Sequence, residues 1–136
     1  MDDALRELVD AWLAKASDDL RAAERLVPDE HEDGYQPLYG AAAFHLQQAA
    51  EKTMKAYLAS HSVRFAKIHD LSRLIALAST IDIGFDRLDG AAEARAPFSV
   101  EVRYPGDWDE LTKDEYLQTK VAAEQVIELV AARMAE

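Results

Sequence analysis

Arg64 and His69 stand with four residues between them, in the stretch "RFAKIH". A histidine can take a proton from a ribose 2'-hydroxyl near neutral pH, and an arginine can stabilise the charge that then builds on the phosphorus. The spacing is therefore compatible with cleavage of a phosphodiester without metal. A second constellation lies upstream. His45, Gln48 and Lys52 recur at steps of three and four, which places them on one helix face with their polar tips able to converge; Lys55 falls one step further round. A third lies downstream in "VRYPGDW". Pro105 fixes its own backbone and Gly106 allows a tight reversal, so together they aim Arg103 and Tyr104. Arginine offers a planar fork for phosphate, and tyrosine offers a ring and a hydroxyl.

Each group also has a structural reading. His45 and Gln48 could be satisfied polar groups inside a bundle or along a dimer seam. Asp70 suits a helix cap, with His69 at the helix entry. Arg103 could pair with Glu51 or Asp107 while Tyr104 is buried. Trp12 and Trp108 suit core or rim packing better than base stacking.

The charge pattern narrows the classes. The net charge of −11 argues against broad affinity for nucleic acid. Yet Lys52, Lys55, Arg64, Lys67 and Arg73 face only Asp70 in the window 52–73, a local +4 that leaves −15 for the rest. His61 and His69 lie in the same window. A basic island of this kind can localise an anion, or can be a solvated face opposite acidic helices. Cysteine is absent, and the four histidines are scattered, so no metal or cofactor site is expected. There is no glycine-rich phosphate loop. No apolar run is long enough to cross a membrane, and the first thirty residues carry acids throughout, unlike a signal peptide; a cytoplasmic protein is the expectation.

The elements that must position these groups are helices. With 136 residues, the chain is read as one domain, 1–136. Leu5, Leu8, Val9, Trp12, Leu13, Ala16, Leu20, Ala23 and Leu26 give an amphipathic helix over Asp3 to Val27, stopped by Pro28. "PDEHEDGYQP" reads as a surface loop. A second helix is expected from about Pro37 to about His61; it is apolar on more than one face and so belongs at the centre. Asp70 should cap a third, with Leu71, Leu74, Ile75 and Leu77 inward. A short fourth piece is expected over Phe85 to Arg95. Thr112 and Glu115 form a capping box for the last helix, whose stripe is Tyr116, Ala123, Val126, Ile127, Val130 and Met134. The sum is all-α: an antiparallel up-and-down bundle of four main helices plus a shorter fifth.

Three blocks resemble a known family in its own order. They are "AAFHLQQAAEKTMKAYL" with its Gln-Ala-Ala-Glu-Lys run, "HDLSRLI" with its His-Asp-Leu start, and "VRYPGDW" with its Arg-Tyr-Pro segment. The chain resembles the HEPN family, the "higher eukaryotes and prokaryotes nucleotide-binding" helical domain. The resemblance implies a helical bundle, often a homodimer, often partnered by a separately encoded minimal nucleotidyltransferase in a toxin–antitoxin-like pair. Some branches are metal-independent ribonucleases with four to six residues between an arginine and a histidine, in the last conserved helix region. Here Arg64 and His69 straddle a loop before the third helix, and no histidine follows His69. The leading expectation is thus a non-enzymatic partner module that binds nucleotide or RNA phosphate near His45, Gln48, Lys52, His69, Arg103 and Tyr104. The alternatives are a ribonuclease using Arg64 and His69, and a dimeric scaffold without ligand.

Overall fold

The computed structural model describes residues 1–88 and 111–136. Helix α1 spans Asp3–Leu26, α2 Tyr39–Ser60, α3 Leu71–Ser79 and α4 Lys113–Met134, with a 3-10 helix at Ile83–Leu88 between α3 and α4. No strand occurs among the described residues. No described helix is long and apolar enough to cross a membrane. The all-helical bundle expected from the residue pattern is therefore the architecture. The expected Phe85–Arg95 piece begins as the 3-10 turn, and its remainder lies outside the described residues, as do Arg103 and Tyr104.

Side chains set the helix ends. Asp2 accepts from the Leu5 amide at 2.7 Å and starts α1. Pro28 cannot continue that helix, and Tyr35 folds back so that its hydroxyl reaches the carbonyls of Arg25 and Leu26, both at 3.3 Å. Helix α2 begins at Tyr39, two residues after Pro37, because the Leu38 amide is held by the Leu26 carbonyl at 3.0 Å and Leu38 is the cap. Asp70 caps α3 by accepting from the Ser72 amide at 2.9 Å. At α4 the capping box is complete: Glu115 N donates to Thr112 Oγ1 and Thr112 N to Glu115 Oε1, both at 3.1 Å.

Helix α2 is central. It packs on α1, α3 and α4, and 14 of its 22 residues are buried against four of 24 in α1. Ala42, Ala43, Ala49, Ala50, Ala56 and Ala59 are all buried on it, so its neighbours can approach closely. Met54, Leu58, Leu74, Ile75, Phe85, Val126 and Val130 fill the core. Each such side chain contributes roughly 1.5–3 kcal/mol of burial. Of the expected stripe residues only Leu8 is exposed, at 47%; Leu5, Trp12, Leu13, Leu20, Leu26, Leu77, Ile127 and Met134 are half-buried. A helix turns by about 100° per residue, so the edges of a wide stripe leave the interface first.

Candidate functional site

A seam of charge runs between α1 and α2. Asp19 lies on the inner face of α1, in step with Trp12, Ala16 and Ala23. Its Oδ1 is 2.8 Å from His45 Nδ1, and Lys52 Nζ donates to its Oδ2 at 2.6 Å. One buried carboxylate thus gathers two of the three residues on the α2 face.

The second half of the seam is drier. Lys55 Nζ donates to Glu51 Oε1 at 2.9 Å, one helical turn apart. Their side chains are only 6% and 3% exposed. Gln48 Nε2 donates to Glu51 Oε2 at 3.4 Å. The Lys55 ammonium also sits 5.2 Å from the centroid of the Trp12 ring, a cation–π contact that replaces part of its lost hydration. His69 joins from outside: its Nδ1 is 3.0 Å from Glu51 Oε1 and 3.3 Å from Lys55 Nζ, while its side chain remains 74% exposed. A carboxylate oxygen can only accept, so the 3.0 Å contact with Glu51 calls for an N–H on Nδ1. The far nitrogen of the imidazole then lies toward solvent.

The loop 61–70 presents His69 by alternation. Val63, Phe65 and Ile68 pack against the core, and Phe65 meets Trp12 edge-on at 5.8 Å between centroids. Arg64, Lys67 and His69 are left exposed. Ser62 and Lys67 adopt left-handed backbone, with φ of 57° and 63°, which costs energy in residues bearing a β-carbon. The loop holds this shape because its three apolar anchors, each half-buried, pack against the core.

A family model for the HEPN domain matches residues 9–133. The chain belongs to the HEPN domain family. A solved structure described as an archaeal HEPN homologue superposes with a TM-score of 0.66 at 20% identity, covering 92% of this chain and 96% of that one; it shares the fold. No curated protein matches the chain.

In this HEPN domain the expected site residues divide into three groups. His45 and Lys52 come together, on Asp19, and the Lys52 charge is cancelled inside the bundle. Gln48 and His69 come together on Glu51. Arg64 shares the loop of His69 but is turned outward. Asp19 is absent from the site expected on residue pattern alone, and Glu51 enters there only as a partner for Arg103. Two signals in the sequence point to them: Asp19 breaks the apolar step of α1, and Glu51 precedes Lys55 at the favourable spacing of four. Among the described residues no three His, Asp or Glu side chains are grouped to hold a metal ion.

Proposed function

We propose that this HEPN domain binds the phosphate of a nucleotide or of RNA through its 64–69 loop. The observation that carries the reading is His69: held at Nδ1 by a buried carboxylate, yet exposed beside Arg64 and Lys67. A preorganised imidazole and two flexible cations suit an anion with several oxygens. Lys52 contributes little to such a site, because Asp19 neutralises it. Binding of a short RNA, followed by NMR of the loop amides at two salt concentrations, tests the reading. Shifts confined to 61–73 and weakened by salt are expected; no shift there overturns it.

A second reading, an endoribonuclease using Arg64 and His69, is favoured by the Glu51–His69 contact. A base held in place by a third group is the arrangement general-base catalysis uses. RNA incubated with the protein in chelator decides it: cleavage lost in both His69→Ala and Arg64→Ala supports nuclease activity, and intact RNA excludes it.

The proposal extends to assembly. A homodimer, and association with a minimal nucleotidyltransferase in a toxin–antitoxin-like pair, rest on the sequence resemblance. Co-expression with the neighbouring reading frame and light scattering of the purified protein test both.

A further inference from the structure

Of the phenylalanine, tyrosine and tryptophan side chains among the described residues, only Tyr35 and Phe44 are exposed, at 41% and 40%. Tyr35 has a structural duty: its hydroxyl reaches the carbonyls of Arg25 and Leu26, and its ring leans on His31 at 5.2 Å between centroids. Phe44 belongs to neither cluster of the hydrophobic core. Its ring meets His45 edge-on at 5.3 Å, a contact that leaves ring faces unused. One turn earlier on α2 stand Gly40 and Ala41, both exposed, and a β-carbon on Gly40 would meet nothing within 4 Å. With only small residues on that side, the ring is open to a flat partner.

Phe44 also shares a helix line with the carboxylate that holds His69. Phe44, Gln48, Glu51 and Lys55 recur at steps of four, three and four, so they form one strip along α2. Along it Gln48 Nε2 donates to Glu51 Oε2 at 3.4 Å, and Glu51 Oε1 is 3.0 Å from His69 Nδ1. An amide able to donate and to accept thus stands between the ring and the imidazole. Phe44 and Glu51 lie about 10 Å apart along the helix axis. That is about three steps of a stacked strand at ~3.4 Å each. The charges permit such a strand. Glu51 is the one acid in α2 and is paired with Lys55, while Lys52 is paired with Asp19 of α1. In 61–73, Arg64, Lys67 and Arg73 outnumber Asp70. A phosphodiester chain laid along the strip therefore meets no carboxylate of α2 without its cation.

We propose that Phe44 is a stacking platform for an unpaired base, so that α2 and the 61–70 loop together hold a short single strand of RNA. A phosphate sits on Arg64, Lys67 and His69, and a base a few nucleotides away lies on the Phe44 ring. The inference rests on the phosphate reading of the loop and names its ligand more narrowly. Stacking needs a free base face, which a duplex denies and inorganic phosphate lacks.

The test is fluorescence anisotropy of the full chain with three labelled probes: oligoadenylate, an abasic strand of the same length, and an RNA duplex. Wild type should bind oligoadenylate more tightly than the other two. Phe44→Leu, at an exposed position, should weaken oligoadenylate by about fivefold or more, to the level of the abasic strand, and leave the abasic strand and the melting temperature unchanged. Phe44→Trp, which keeps a stacking face, should retain tight binding. Arg64→Ala should weaken all three probes. Equal binding of oligoadenylate and abasic strand, or a Phe44→Leu variant that binds oligoadenylate as wild type does, overturns the platform and leaves the phosphate reading standing. No binding of any probe overturns both. A change in the light-scattering mass of Phe44→Leu assigns the ring to a protein interface and overturns the platform as well.

Discussion

Glu51 Oε1 stands 3.0 Å from His69 Nδ1 and 2.9 Å from Lys55 Nζ, so one buried carboxylate both neutralises a buried ammonium and steers an exposed imidazole. The two duties can be separated by mutation.

Glu51→Ala leaves Lys55 charged and dry. Breaking a buried pair by removing one partner costs about 3–5 kcal/mol. The double variant Glu51→Leu, Lys55→Met removes both charges and should recover most of that loss. Denaturant melts of the three proteins check it; a double variant as unstable as the single would show that the pair itself stabilises the fold.

Glu51→Gln should release His69. In wild type, the neutral imidazole should carry its proton on Nδ1, the site facing Glu51, and the variant should shift toward the opposite tautomer. Ring-nitrogen NMR shifts report this directly, with or without any activity.

Asp19→Asn should weaken the grip on both His45 and Lys52. These side chains are partly solvated, so the cost should be about 1–3 kcal/mol. A double-mutant cycle with Lys52→Met should show a coupling of about 0.5 kcal/mol or more, as expected of residues that touch.

Arg64→Ala with Lys67→Ala should lower RNA affinity and flatten its salt dependence by about one unit of log–log slope for each phosphate no longer neutralised. An unchanged slope would place the phosphate contact elsewhere.

Asp82 titrates below the ordinary carboxyl range, chiefly because the Gly84 amide donates to it, and then because Arg133 lies against it, the two outweighing desolvation. A depressed carboxyl pKa adds stability that is whole above the unfolded value of about 3.9 and is lost as pH falls through the folded value. Asp82→Asn should therefore flatten the acid limb of the stability curve and leave its shape above about pH 5 unchanged. Urea melts across that limb measure it.

Much of the scaffold can be read from local signals. Asp70 as a cap and the Thr112–Glu115 box are decided by neighbours in the chain, so the residues name them. The burial of α2 on several sides follows from its alanines and apolar residues. The shared face of His45, Gln48 and Lys52 follows from about 3.6 residues per turn. The brief turn at Ile83–Leu88 is less legible, because Gly84 presses against Arg133, a residue far along the chain.

The sequence by itself determined that this chain is a helical bundle with a basic stretch around the entry to α3, because periodicity and capping are short-range properties. Only the tertiary structure decided which charges cancel. Whether Lys52 faces a ligand or Asp19, and whether His69 swings freely or leans on Glu51, depends on how α1 and the 61–70 loop are rotated onto α2. Packing of Trp12, Phe65 and the alanines sets that rotation, and Coulomb energy then follows from the distances it creates.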